Sequence, residues 1–101
     1  MYAMATRWVF KAGSSGDVLG AMRDEVWPAV EAQRGHVCTV VVQTGTDSFL
    51  SLVCWSTEED AKRAMSNLAS LVIRHLGPHV REVKRIPGSV VHQQLGRGSG
   101  S

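Results

Sequence analysis

The chain of 101 residues is 44% hydrophobic and 20% charged, a size and balance that suit one small folded domain and exclude a disordered polymer. Its 11 basic and 9 acidic residues leave a formal charge of +2, with the basic ones scattered, which excludes the dense basic face of a nucleic-acid partner. No apolar run reaches membrane-spanning length, no signal-peptide core opens the sequence, and two cysteines without a secretion signal point to free thiols in the cytoplasm.

Ala5 to Ala12 is the first predicted strand, because Trp8 and Phe10 alternate with Arg7, Val9 and Lys11 and make one bulky face. Gly13-Ser14-Ser15-Gly16 breaks the alternation. Ser15 or Asp17 is then placed to cap a helix by accepting from its unpaired N–H groups. Val18, Met22, Val26, Ala29 and Val30 recur at helical spacing. Pro28 lies inside that run; lacking an N–H, it should bend the helix or open a second segment, and Gly35 should end it.

A hairpin follows. With Gly45-Thr46-Asp47 as a three-residue loop, Thr44 faces Ser48, Val42 opposes Leu50, Val40 opposes Leu52 and Cys38 opposes Cys54, which makes one wholly apolar face. The other face pairs Gln43 with Phe49, Val41 with Ser51, Thr39 with Val53 and Val37 with Trp55, and is mixed. Both need cover: one packs under helices, the other forms a pocket wall or a subunit contact.

Ser56 and Glu59 have capping-box spacing, and Glu58, Glu59 and Asp60 suit the positive end of a helix. Ala61, Met65, Leu68, Val72 and Leu76 form its buried stripe, Ser66-Asn67 is a point of interruption, and Gly77-Pro78 is the stop. His79 to Pro87 reads as a charged connection and Gly88 to Leu95 as the fourth strand. The predicted domain spans residues 1–95, and 96–101 have the composition of a flexible tail. Strand, helix, strand, strand, helix, strand is the ferredoxin-like α+β order, an antiparallel sheet of strand order 4-1-3-2 with both helices on one face. Two helices leave the second sheet face bare, so the sequence predicts a homodimer joined sheet to sheet.

Trp8 to Gly13, Pro28 ahead of Gly35-His36-Val37, and the run from Phe49 through Trp55 to Ala61 resemble the antibiotic biosynthesis monooxygenase-like group of the dimeric α/β-barrel superfamily. The resemblance covers nearly all of the chain before the tail and rests on fold signatures more than on catalytic ones. It implies a dimeric α/β barrel with an apolar pocket between sheet and helices in each subunit. That group contains cofactor-free monooxygenases, haem-degrading enzymes and proteins with no known activity. The haem-degrading branch has an Asn on the first strand, a Trp in the second helix and a His near that helix's end. Aligned on Arg7 and Trp55, those positions hold Thr6, Ala64 and His75, so two of three parts are missing and haem degradation is not expected. The cofactor-free branch oxidises phenolic or quinol-like substrates that activate oxygen themselves, which implies no metal and no other cofactor. It implies His75, Thr6 and Arg74 as the groups that deprotonate or orient the substrate, and Trp8, Phe10 and Trp55 as walls around a small hydrophobic or aromatic ligand. Arg74 and His75 are adjacent, about 100° apart on a helix, so one of them at most should point inward.

Each candidate has a structural reading beside the functional one. Strand tryptophans usually belong to a core, and a His at a helix end is favoured by the dipole there. His75 and His79 have a metal-compatible gap, but Gly77-Pro78 breaks the helix that would align them. His36 and His92 fit edge positions, and the facing Cys38 and Cys54 fit packing better than redox chemistry. Two classes of function remain: oxidation of an aromatic or quinol-like small molecule, and a non-catalytic dimeric ligand-binding or accessory role. Fold does not choose between them.

Overall fold

The structure, a computed structural model, describes residues 1–94. Strand β1 (Tyr2–Phe10) leads into helix α1 (Ser15–Ala21), a π-helical turn (Met22–Val26) and helix α2 (Trp27–Glu31). The hairpin of β2 (His36–Gly45) and β3 (Ser48–Trp55) is followed by helix α3 (Glu58–Leu76), a 3₁₀ turn (Gly77–His79) and β4 (Val80–Ser89). The strands form one antiparallel sheet in the order β2-β3-β1-β4, and the helices cover one of its faces. This is the ferredoxin-like α+β arrangement and the strand order that the sequence predicts.

Strand β4 is the main correction. It occupies the segment read as a charged connection, and residues 90–94 of the expected Gly88 to Leu95 strand carry no strand, while Leu95 and the 96–101 tail lie outside the described residues. As an edge strand beside β1 alone, β4 keeps one flank in water and tolerates Arg81, Glu82, Lys84, Arg85 and Pro87. Those residues erase the apolar alternation by which an inner strand is recognised.

Helix ends differ in detail. Helix α1 has no side-chain cap of its own; the Asp47 carboxylate of the β2–β3 turn reaches across to accept from the Gly13 and Ser15 N–H groups, at 3.1 Å each. Thr57, not Ser56, caps α3: it is the extended residue directly before Glu58, and its hydroxyl accepts from Asp60 N–H at 3.1 Å, while Ser56 N–H donates to the Gly35 carbonyl. Helix α3 also runs unbroken through Ser66-Asn67, with Asn67 turned outward to donate to Gln33. Pro28 opens α2 as a second segment. It has no N–H for the carbonyl of Asp24, and the chain before it widens to a π turn in which Trp27 N–H reaches back to Met22.

The hairpin register matches from Val42–Leu50 to Cys38–Cys54, with shifts at its ends: Gly45 rather than Thr44 faces Ser48, and His36 rather than Val37 faces Trp55. The mixed face lies under the helices, where Phe49 and Trp55 fill the depth between the layers. The wholly apolar face is the open one, with Val40 51% and Val42 48% exposed. Beneath the helices the core divides in two. Phe10, Val18, Met22, Val26, Phe49 and Leu76 form one cluster, and Trp55, Ala61, Ala64 and Leu68 the other.

Candidate functional site

A cavity of about 350 Å³ lies between the sheet and the C-terminal two-thirds of α3 and draws its walls from both clusters. Its floor follows from the β1–β3 register. Tyr2 pairs with Trp55, Met4 with Val53, Thr6 with Ser51, and Trp8 with Phe49, so Trp55 stands at one end of the floor and Trp8 at the other. Leu68, Ala69 and Val72 of α3 form the roof. Met65 and Ile73, both exposed, stand at the rim, and Arg85, also exposed, ends the floor on the edge strand β4.

Both tryptophans are fixed. The Trp8 indole stacks on Phe10 with ring centroids 5.7 Å apart and donates its N–H to the Ser51 hydroxyl at 3.2 Å. Trp55, only 3% exposed, stands nearly perpendicular to the His36 ring with centroids 5.7 Å apart. Such walls hold their shape before a ligand arrives, which lowers the ordering cost of binding.

Polar groups in this apolar space form one row. Ser51, Thr6 and Arg85 are cross-strand neighbours on β3, β1 and β4, and all three line the cavity. Thr6 is 5% exposed and lines the cavity. The row can hold one hydroxyl or oxyanion between two neutral hydroxyls and a guanidinium. None of the lining residues is a carboxylate, a histidine or a lysine.

The residues singled out in the sequence scatter around this site. Thr6, Trp8 and Trp55 line it together. Phe10 is 1% exposed in the core and supports Trp8 from behind. Arg74 is exposed and His75 half-buried on α3, and neither belongs to the lining. Ser51 and Arg85 were not singled out. Ser51 was legible as the partner of Val41 on the mixed face, whereas Arg85 was hidden because its segment did not read as a strand. Among the described residues no three His, Cys, Asp or Glu side chains group to hold a metal ion, and no helix is long and apolar enough to cross a membrane.

Neither a protein-family model nor a curated protein matches the chain by sequence. Its fold, however, recurs in solved structures. A protein of unknown function from Nitrosomonas europaea superposes with a TM-score of 0.81 at 13% identity, over 96% of this chain and 95% of that one. A candidate antibiotic biosynthesis monooxygenase from the same organism gives 0.78 at 14%, over 91% and 100%. SnoaB, a cofactor-independent oxygenase from Streptomyces nogalater, gives 0.78 at 12%, over 93% and 95%. The fold is thus that of antibiotic biosynthesis monooxygenase-like proteins, as the sequence resemblance implies.

Proposed function

We propose that this protein is a cofactor-independent oxygenase acting on a phenolic or quinol-like aromatic compound in the cavity between the sheet and α3. The observation that supports this most is the row Ser51–Thr6–Arg85 laid across the floor of a space otherwise walled by apolar and aromatic groups. The structural likeness to SnoaB, itself a cofactor-independent oxygenase, supports the same reaction class.

In this reading a planar ring lies over Met4, Val53 and the Thr6–Ser51 pair, with its hydroxyl on the polar row. Arg85 favours the ionised hydroxyl by charge-assisted hydrogen bonding. With no base in the lining, the proton leaves to water at the rim, so the substrate must be acidic by its own electronics, a phenol conjugated to a carbonyl. The electron-rich anion then reacts with dioxygen. One oxygen atom ends on the attacked ring carbon as a carbonyl, and the other leaves as water, taking the single hydrogen of that carbon and a proton equivalent to the one the hydroxyl released. The protein's part is to ionise, orient and keep bulk water away.

The bare apolar sheet face supports a homodimer, in which a second copy covers Val40, Val42, Leu50, Leu52 and Ile86, each at least 39% exposed in the single chain. Oxygen uptake with a panel of polyphenols and hydroquinones tests the function, using ¹⁸O₂ to trace the product carbonyl. Uptake with label in the carbonyl is expected. Tight binding of the same compounds without uptake would replace this reading with that of a non-catalytic ligand-binding protein.

A further inference from the structure

Beside the main cavity lies a second, smaller space of about 60 Å³, bounded by the π turn, Trp27 of α2, the sheet and the end of α3. Met22, Val26, Trp27, Val41 and Leu76 belong to it alone, while Trp8, Ser51, Val53 and Val72 line both spaces. The hydrogen bond from Trp8 to Ser51 therefore stands in the wall the two share. We infer that this inner chamber holds dioxygen beside the ring bound in the main cavity, an inference that rests on the oxygenase reading above.

Size and polarity carry the argument. A cavity of about 150 Å³ is what benzene needs, so the chamber is too small for the aromatic substrate and suits a diatomic molecule. Water needs two to four polar partners to occupy such a space. The hydroxyls in the chamber's lining are those of Ser51, which accepts from Trp8 and keeps its own O–H for the main cavity, and of Thr39, bonded to the His36 ring at 2.7 Å; the other lining side chains are apolar or aromatic. A small space with so few polar groups favours an apolar gas over water. Its helical wall is the π turn Met22–Val26, the irregular geometry that Pro28 sets up, and π turns recur at functional sites. The chamber adjoins the Thr6–Ser51 end of the floor, where the reacting ring is placed, so oxygen reaches the ring anion without crossing the rim.

Dissolved oxygen is paramagnetic, and methyl relaxation in the intact protein under oxygen pressure reports where it resides. Val26 and Val41 sample the chamber, Leu68 the main cavity, and Val18 solid core. Enhancement several-fold larger at Val26 and Val41 than at Val18 is expected, together with its loss at Val26 in Val41→Phe. Equal enhancement at all three, or enhancement at Leu68 alone, would overturn the chamber. The variant's intact Val18 signal serves as the folding control, and the wild-type result stands without it. Chamber enhancement with no oxygen uptake for any phenol would uphold the chamber and overturn the oxygenase reading. Uptake without chamber enhancement would do the reverse.

Discussion

Thr6 and Arg85 are direct partners across the β1–β4 ladder, which sets a buried hydroxyl beside an exposed guanidinium on one cavity floor. The pairing joins an inner strand to an edge strand. The inner one supplies a dry, fixed contact and the outer one a charge that keeps contact with water and its own solvation.

Arg85→Leu should therefore weaken binding of an ionised phenol far more than that of its methyl ether. A hydrogen bond to a charged group is worth about 1.5–3 kcal/mol, which at the lower end is roughly tenfold in Kd. Quenching of tryptophan fluorescence by the two ligands measures the difference. Equal losses for both would mean that Arg85 contributes packing and not charge.

Two glycines separate a backbone cost from a steric one. Gly13 and Gly35 both have positive φ, +80° and +84°, but a Cβ at Gly13 meets open space while one at Gly35 runs into the Asp60 side chain. Left-handed geometry costs an ordinary residue about 1–2 kcal/mol. Gly13→Ala should lose about that much in urea denaturation, and Gly35→Ala clearly more, since Asp60 at the start of α3 must move. Similar losses at both positions would show that Asp60 yields freely.

Cys54 faces Cys38 across the hairpin, and burial first, then the neighbouring thiol, pushes its pKa above the ordinary thiol value. Between the unfolded and folded values the unfolded chain has lost this proton and the folded one has kept it. Stability from this group is thus intact below about pH 8.5, the free thiol value, and falls as pH rises toward the folded pKa. Chemical denaturation from neutral to alkaline pH should show that fall, shallower in Cys54→Ala. An unchanged slope in the variant would assign the fall to other groups.

The element order, the strand order and the central hairpin register were legible because they rest on strong periodicities; the turn itself was misread, since Gly45 belongs to β2 and faces Ser48, which leaves Thr46-Asp47 as the loop and Thr44 in a register shift. The edge strand was not legible, since Arg81 to Pro87 reads as loop when one flank of a strand faces water. Which hairpin face lies inside was also hidden. Val40, Val42, Leu50 and Leu52 look like core in one dimension, yet the space under the helices is filled by the fewer but larger Phe49 and Trp55. The site was half legible: Thr6, Trp8 and Trp55 alternate on recognisable strands, while Arg85 shared the fate of its strand.

The bare face gives a direct test of assembly. Leu52, 39% exposed at the centre of the apolar patch, pairs with both Val40 and Ala5. Wild type should sediment as a dimer at micromolar concentration and Leu52→Glu as a folded monomer, because a buried unpaired carboxylate is strongly unfavourable. A monomeric wild type would leave the patch without its second copy.

The central claim is that the space between Trp8 and Trp55 is where the ligand binds. A crystal structure of the protein soaked with an acidic hydroquinone under anaerobic conditions tests it most directly. The expected density places the ring over Met4 and Val53 with one oxygen within hydrogen-bond distance of Thr6 or Ser51 and of Arg85. A ligand seated elsewhere, or an empty cavity at saturating ligand, would contradict it.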